Sequence, residues 1–423
     1  MNKIKDRLIC LAMSLITSGI MLSPFPALAA DESVKIGFNY PETGPYAKQG
    51  LDQRRAAELA AGEINASGGI LGKKVQLLFK DSQSNTKTAK QNAIDLFDKD
   101  GVAMLFGGVS SGEAIANGKV AKQKNKLFFG TLGSSTEITG EEGHKFIFRD
   151  YFDSYMSAKV LSNYLNKNFA GKKFFYIASD YSWGWTTEDV FRKFTNTTDK
   201  NEHKGLLTKL GSTDYKEALQ VAKESNAAVL VMVLFGRDME IALKQADEMG
   251  LKKTMQLVFP SITLDAVEGV GAEVAEGIVG AKYWTWQVPY QFNYPKGKAF
   301  VENFGEKYHK RPSMAAAPAY VILHQYKEAV ELAKSFDTNA VIKALEGHKY
   351  TGLKDEQQWR AWDHQSIGTV YAVKCKPAAE VRKDKFKQDF FEIITSMKGE
   401  DAAINFKEWS ENRAKVGMPA TLE

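Results

Sequence analysis

A serine-rich turn is the stretch of the chain whose residue types could most directly carry out covalent chemistry. Residues 108–112, GVSSG, match the pattern G-x-S-x-G and stand between an apolar run and an alanine-rich segment. α/β-Hydrolases carry a nucleophilic serine on such a strand-to-helix turn, and they also need a histidine later in the chain. The six histidines have no neighbouring signature that selects one of them. One hypothesis is therefore a secreted serine hydrolase that uses Ser110.

Two other functions fit the same turn equally well. Ser110 or Ser111 could cap the free N–H groups at the start of a helix. The same hydroxyls, together with those N–H groups, could instead bind the carboxylate of a ligand. No pair of histidines or cysteines has the spacing of metal ligands, and the glycine-rich phosphate fingerprints are absent from the sequence. The sequence therefore predicts neither a metal site nor a cofactor.

Aromatic residues next to predicted strand ends could cover the apolar part of a ligand. Tyr46 closes the loop NYPETGPY, Trp183 follows an apolar run, and Trp284 lies where the chain is expected to pass between domains. Aromatic rings at such positions give a cleft apolar walls. The alternative is that Tyr46 packs within a rigid Gly-Pro turn and that the tryptophans belong to the core.

The elements that must position these residues alternate between short apolar runs and amphipathic segments with a glycine stop. This pattern predicts parallel β-sheets covered by helices on both faces, with ligands bound beyond the carboxyl ends of the strands. The series restarts after residue 171, so two α/β domains are expected. The predicted strands are 34–38, 74–80, 102–107 and 126–130 in the first set, and 172–179, 205–210, 227–235 and 254–259 in the second.

Later segments could belong to either domain. The first crossing between the domains is predicted within FIFRDYF, residues 146–152. Long helices are expected at 297–309 and 314–334, followed by a hairpin at about 357–374. The charged segment from about residue 381 is predicted to be a solvated amphipathic extension.

The N-terminal residues predict export. Three basic residues precede an apolar stretch, and Ala27-Leu28-Ala29 has the small residues of a signal-peptidase site, so cleavage is expected near Ala29. An anchor on Cys10 is the alternative. Cleavage of the signal peptide would remove three basic residues and one acidic residue and would lower the net charge from +5 to +3. A net charge this close to neutral argues against nucleic acid as a partner. Cys375 is then the one remaining cysteine, so no internal disulfide can form.

The sequence from residue 36 to 85, IGFNYPETGPYAKQG through DSQSN, resembles the opening of the type I periplasmic substrate-binding proteins of branched-chain amino-acid (Leu/Ile/Val-binding-like) ABC importers. The resemblance continues through GGVSSGEA, GTLGSSTEIT, FRDYF and SDYSWG to about residue 375. It implies an α/β fold of two Rossmann-like lobes with parallel sheets, joined by three crossings near 149–152, 282–286 and 349–353. Lobe 1 would comprise 30–149 and 284–350, lobe 2 would comprise 150–283 and 351–375, and 376–423 would be an extension.

The resemblance also implies a function and a site. The chain would be a monomeric, non-enzymatic periplasmic receptor that delivers a small organic acid or amino acid to a membrane permease. Ser110 or Ser111 would bind the ligand carboxylate, and Ser261 stands where amino-acid binders hold the α-ammonium with an acid. The remaining expected ligand-binding residues are Tyr46, Leu132, Ser134, Tyr151, Trp183, Phe235 and Trp284. We therefore expect a carboxylate with an apolar body and no need for an ammonium group, unless Asp180, Asp238 or Asp265 replaces the missing acid.

Overall fold

The computed structural model describes residues 33–423, so the predicted signal peptide lies outside the described residues. Within this range the strands are β1 (Ser33–Tyr40), β2 (Lys74–Asp81), β3 (Met104–Gly107), β4 (Leu127–Gly130), β5 (Ile147–Arg149), β6 (Phe174–Ser179), β7 (Gly205–Thr208), β8 (Val229–Val233), β9 (Gln256–Phe259), β10 (Val279–Lys282), β11 (Lys349–Thr351), β12 (Glu356–Trp359), β13 (Ser366–Ile367), β14 (Val370–Cys375) and β15 (Phe391–Met397).

The helices in the same range are α1 (Ala47–Ala66), α2 (Thr86–Asp98), α3 (Ser111–Lys124), α4 (Ser154–Phe169), α5 (Ser182–Thr195), α6 (Lys216–Glu224), α7 (Gly236–Glu248), α8 (Leu264–Val270), α9 (Ala272–Ala275), α10 (Val288–Gln291), α11 (Pro295–Tyr308), α12 (Ala316–Ala333), α13 (Thr338–Leu345), α14 (Ala378–Val381), α15 (Gly399–Ala402) and α16 (Phe406–Lys415). In this part of the chain, no helix combines the length and the hydropathy needed to cross a bilayer.

Two sheets form the centres of two lobes. The sheet of lobe 1 has the order β2-β1-β3-β4-β5, and all of its strands are parallel. The sheet of lobe 2 has the order β15-β14-β10-β9-β8-β6-β7, in which β14 and β15 are antiparallel to their neighbours. The inner strands β3 and β8 are buried apolar runs, as expected for parallel sheets covered on both faces. The predicted two-lobed α/β fold is confirmed.

The third passage between the lobes differs from the expectation. Strands β11, β12 and β13 form a separate antiparallel sheet instead of one long hairpin. Trp359 of this sheet packs on Phe129 and Phe148 of lobe 1, each at a centroid distance of 5.6 Å. Residues 356–367 therefore pack against lobe 1, and the chain enters the sheet of lobe 2 only at Val370. The aromatic contacts of Trp359 account for this difference, because they bury the sheet against lobe 1.

A buried carboxylate ties the passages together. Asp150, at the first crossing, accepts hydrogen bonds from the hydroxyls of Tyr283 and Tyr350, at 2.8 and 3.0 Å. These two tyrosines belong to the second crossing and to β11. Burial raises the pKa of Asp150, and the two donors act against that rise. The polypeptide segments that connect the lobes thus lie side by side around one side chain.

The segment after residue 375 is not the solvated extension that its charge predicted. Strand β15 pairs with β14 and extends the sheet of lobe 2. Trp409 of α16 is 2% exposed, and the Arg413 side chain is fully buried. Burial is possible here because the Trp409 indole N–H and the Arg413 guanidinium donate to backbone carbonyl oxygens from a distant part of the chain. Local sequence does not indicate such long-range contacts.

Candidate functional site

The carboxyl ends of the strands in the two lobes face each other across a narrow cavity of about 10 Å³. Each lobe contributes the residue types that follow its strand ends, mostly serines and aromatic rings. The lining residues are Val109, Ser111, Leu132 and Ser134 from lobe 1, and Tyr181, Trp183, Phe235 and Ser261 from lobe 2. Six of the residues expected at the site, Ser111, Leu132, Ser134, Trp183, Phe235 and Ser261, thus lie around one space.

The serines of lobe 1 form the polar side of this cavity. Ser111 is the first residue of α3, and its oxygen accepts a hydrogen bond from the Ser135 N–H at 3.0 Å. Among the described residues, its own O–H has no acceptor. The Ser134 hydroxyl donates to the Phe152 carbonyl oxygen at 3.0 Å. Ser111 is therefore the hydroxyl that can donate to an anion, in a position where the dipole of α3 also favours negative charge.

Ser110 has a different role from its neighbour. Its hydroxyl donates to the Glu113 carboxylate at 2.9 Å and accepts from the Glu113 N–H at 3.2 Å. The Ser110 N–H also donates to that carboxylate, which completes a capping box at the start of α3. Burial raises the pKa of Glu113, against the effect of these donors. Of the two serines that the sequence left open, Ser111 lines the cavity and Ser110 caps the helix.

Two aromatic rings from lobe 2 form an apolar wall. Trp183 and Phe235 meet edge to face with ring centroids 6.1 Å apart. Tyr46 from lobe 1 lies behind them, with its ring 5.5 Å from that of Phe235. Tyr46 is almost fully buried and is not part of the cavity lining, contrary to the expectation that it covers the ligand. It acts as a second layer that supports Phe235.

Tyr151 and Trp284 were also expected at the site. Tyr151 reaches the cavity only through Ser261, because the two hydroxyl oxygens lie 3.3 Å apart and only Ser261 lines the cavity. Trp284 is fully buried, packs on Phe300 and donates from its indole N–H to the Leu353 carbonyl oxygen at 3.3 Å. The prediction that Trp284 faces the cleft is wrong, because the second crossing turns this side chain into the core of lobe 1.

The acidic residues that could have replaced the missing acid are held elsewhere. Asp180 accepts from the Trp185 indole at 2.9 Å, and Asp238 accepts from the Gly211 N–H at 2.9 Å. Asp265 accepts from the Gln49 amide of lobe 1. Within residues 33–423, no charged side chain lines the cavity. A ligand ammonium group there would lose its hydration without gaining a paired carboxylate.

The lobes touch each other around the cavity, so the structure represents a closed arrangement. Lys48 of α1 pairs with Glu240 of α7 at 2.6 Å. On another side, the Ser182 hydroxyl of α5 donates to the Ser135 hydroxyl at 2.8 Å. The backbone of Gly236 in lobe 2 also lies close to Tyr46 of lobe 1. Gly236 has a φ of +58°, and a Cβ atom added to it would lie 2.7 Å from the Tyr46 ring. A ligand can enter only if these contacts separate.

Sequence reasoning missed Val109, Tyr181 and Gly236. Tyr181 follows β6 directly and precedes Trp183 by two residues, so the rule that placed Trp183 at the site applied to it as well. The close approach at Gly236 depends on a residue of the other lobe, and no local signal exists for it. Among the described residues, no group of histidine, cysteine and acidic side chains could hold a metal ion.

Comparison with known proteins places the chain in a family. A sequence model described as periplasmic binding protein matches residues 33–382. A Leu/Ile/Val-binding protein homolog 7 from Brucella abortus is 28% identical over 337 residues, which cover 75% of this chain and 82% of the relative.

Solved structures share the fold. A periplasmic binding protein from Burkholderia mallei has a TM-score of 0.81 and 25% identity, with 90% of this chain and 98% of that chain covered. Another similar structure is a solute binding protein of an ABC transporter from Rhodopseudomonas palustris BisB5, in complex with 3,4-dihydroxybenzoic acid. It has a TM-score of 0.76 and 21% identity, and the match covers 87% of this chain and 98% of that chain.

Proposed function

This chain belongs to the periplasmic binding protein family, and on that premise we propose that it captures a small organic acid between its lobes and delivers it to an ABC importer. The observation that carries the proposal is the cavity between the lobes, which has a free hydroxyl at a helix start and aromatic walls. Delivery to a permease, location in the periplasm and action as a monomer are parts of the same proposal.

The ligand carboxylate would lie against Ser111. A hydroxyl donor and the start of α3 favour an anion there, and the dipole alone contributes about 0.3–1 kcal/mol. The apolar body of the ligand would rest on Trp183 and Phe235. Ser261 would meet a neutral polar group of the ligand, because its hydroxyl cannot balance the charge of an ammonium.

The cavity is narrow in the arrangement that the structure has. Its volume of about 10 Å³ leaves room for about one water molecule, so a ligand needs the lobes to separate further. The residue types of the lining favour a single aromatic ring or a short branched chain with one carboxylate. The names of the similar proteins include both kinds of ligand, since one relative is a Leu/Ile/Val-binding protein homologue and one structural neighbour holds 3,4-dihydroxybenzoic acid.

The alternative is a serine hydrolase that uses Ser110. Ser110 is 5% exposed, and its hydroxyl is engaged with Glu113. Among the described residues, it forms no hydrogen bond with a histidine that could remove its proton. Incubation with a fluorophosphonate should therefore leave Ser110 unmodified, and stoichiometric labelling of Ser110 would support the hydrolase instead.

A thermal-shift screen tests the proposed function. The panel contains branched-chain and aromatic amino acids, their deamino analogues, hydroxybenzoates, dicarboxylates and amides. A ligand at 100 times its dissociation constant stabilises the native protein by about 2.7 kcal/mol, which is readily measured. We expect small monocarboxylates to raise the melting temperature, whereas stabilisation by amides or dicarboxylates alone would contradict the proposal.

A further inference from the structure

The last helix of the described chain contacts both lobes. Residues 406–422, called the strap here, follow β15 and α15 and lie beyond the region that the family model matches. Strand β15 is part of the sheet of lobe 2, and α15 packs on α4 of the same lobe. From this base in lobe 2 the strap reaches across to lobe 1.

One end of the contact is an acidic side chain. Glu408 of the strap accepts a hydrogen bond from the Tyr155 hydroxyl at 2.8 Å. The same carboxylate pairs with Lys193 of α5. Tyr155 and Lys193 belong to helices that pack on the sheet of lobe 2. Glu408 therefore fixes the start of the strap to that lobe.

The other end of the contact is in lobe 1. The Trp409 indole N–H donates to the Thr139 carbonyl oxygen at 2.8 Å. The buried Arg413 guanidinium donates to the carbonyl oxygens of Gly140 and Gly143, the second at 3.0 Å. Its remaining N–H groups bind the carbonyl oxygens of Pro419 and Thr421, which fold the strap back on itself. Five carbonyl contacts thus hold two side chains of the strap.

Residues 134–143, called the rim loop here, are the part of lobe 1 that the strap holds. Ser134 lines the cavity, and the Ser135 N–H donates to the Ser111 oxygen. The Ser182 hydroxyl of lobe 2 lies within hydrogen-bonding distance of both the Ser135 hydroxyl and the Glu137 carboxylate, and its one proton can donate to either of them. A shift of the rim loop would therefore disturb both the cavity and the contact that closes it.

An apolar cluster accompanies these polar contacts. Tyr155, Ile404 and Trp409 form a buried cluster separate from the main core, with Phe194 and Trp362 packed against it. Tyr155 and Phe194 belong to lobe 2, whereas Trp362 follows β12 of the small sheet on lobe 1. The cluster therefore has members from both sides of the cleft.

We infer that the strap positions the rim loop against lobe 2 and stabilises the closed cleft, with Glu408, Trp409 and Arg413 as positioning residues. The inference rests on one part of the proposed function, namely that the two lobes open and close. The contacts of Glu408 and Trp409 act in series through one helix turn, in addition to the attachments that Arg413 and β15 provide. Losing either contact should therefore have a similar effect, and losing both should add little.

Two variants remove one contact to each lobe with little loss of packing. Trp409→Phe removes the indole N–H that binds Thr139 and keeps an aromatic ring against Trp362. Glu408→Ala removes the acceptor of Tyr155 and Lys193 from a partly exposed site. Lys407→Ala is the matched control, because this side chain lies on the same helix and is 86% exposed.

The readout is the distance between the lobes in the ligand-free chain. Spin labels on Lys87→Cys in α2 and Lys216→Cys in α6 report it by pulsed electron resonance, since both residues are exposed and the one native cysteine among the described residues, Cys375, is buried. Each variant should raise the open population roughly threefold to tenfold, the effect of one lost hydrogen bond. The double variant should match the larger single effect, and the control should match the parent.

Two outcomes would overturn the inference. The first is an unchanged distance distribution in both single variants, which would make the strap a passive part of lobe 2. The second is a double variant whose effect is the product of the single effects, because independent local contacts behave in that way. If Trp409→Phe failed to fold, Glu408→Ala alone would still decide between the first outcome and the expected one. Failure of the proposed ligand class would appear in the thermal-shift screen and would leave this measurement unaffected.

Discussion

The phenolic oxygens of Tyr46 and Tyr181 lie 3.3 Å apart, although the two residues belong to different lobes. Tyr46 supports Phe235 from behind, and Tyr181 lines the cavity. Burial raises the pKa of both phenols well above the ordinary value, so both stay neutral and able to share this hydrogen bond. Separation of the lobes would break this contact, so it would report directly on the closure that we propose.

Tyr46→Phe should accelerate ligand release. The ring keeps its contact with Phe235, and the loss of one hydrogen bond should destabilise the closed state by about 1 kcal/mol, or roughly fivefold in the dissociation rate. Stopped-flow displacement of a ligand found in the screen measures this rate. Tyr181→Phe should have the same effect, and the double variant should add little. An unchanged rate in both single variants would mean that the hydroxyl pair does not stabilise closure.

Ser111→Ala and Ser110→Ala should separate binding from stability. Removing the Ser111 hydroxyl takes away the free donor of the cavity, so the affinity for a monocarboxylate should fall about tenfold or more. Removing the Ser110 hydroxyl should lower the free energy of unfolding by about 1 kcal/mol, because α3 loses its cap. Calorimetric titration and thermal unfolding of both variants provide the two measurements. A larger loss of affinity in Ser110→Ala would reverse the assignment of the two serines.

Gly236→Ala should prevent full closure. The new methyl group would lie 2.7 Å from the Tyr46 ring of the other lobe. Gly211→Ala is the matched control, since Gly211 also has a positive φ, +77°, and its Cβ would meet nothing within 4 Å. Both variants carry similar backbone strain, but only Gly236→Ala should keep a large radius of gyration with ligand at saturation. Small-angle scattering that shows full compaction of Gly236→Ala would contradict the closed contact.

Closure should weaken as the pH rises from about 4 to about 6. Burial, with a further contribution from the nearby Asp52 carboxylate, raises the pKa of Asp265 from 3.8 to about 6 in the closed structure. Exposure in an open state would return it toward the ordinary value, so the closed state binds this proton more tightly and acid favours closure. The change in pKa corresponds to a change of at most ~3 kcal/mol in the free-energy difference between the open and closed states over this pH range.

Asp265→Asn removes this titration and keeps a side chain that can bond to Gln49. The interlobe distance of the variant, followed by spin labels across this pH range, should depend on pH much less than that of the parent. Burial also raises the pKa of Asp238, to about 6, and the pKa of Glu113, so a residual dependence would be assigned to these two carboxyls near the cleft. An identical pH profile in parent and variant would exclude Asp265 as the titrating group.

Local patterns and the family resemblance together were sufficient to predict most of the cavity. Ser111 and Trp183 follow predicted strand ends, and parallel strands bring those ends to one edge of each sheet. Ser134, Phe235 and Ser261 were expected from the resemblance, and they line the same cavity. The choice between Ser110 and Ser111 depends on where α3 begins and which hydroxyl faces the other lobe, and local sequence does not decide this because either serine can cap a helix.

Features that depend on distant contacts could not be predicted. Trp284 follows the strand β10, yet its crossing turns it into the core. Arg413 looked like a solvated charge, yet carbonyl groups some 270 residues earlier in the chain bury it. Strand β12 was predicted as part of a hairpin in lobe 2, whereas Trp359 packs it on lobe 1. Tertiary contacts override local pattern at each of these positions.

The most direct test of the account compares matched acids with and without an α-ammonium group. Isothermal titration with leucine against 4-methylpentanoate, and with phenylalanine against 3-phenylpropionate, changes only that group in each pair. Because the lining of the cavity contains no carboxylate, the deamino acid should bind at least as tightly as the amino acid. If an amino acid bound about a hundredfold more tightly than its deamino partner, ~2.7 kcal/mol, an unrecognised acidic group would have to face the ligand and the account would be contradicted.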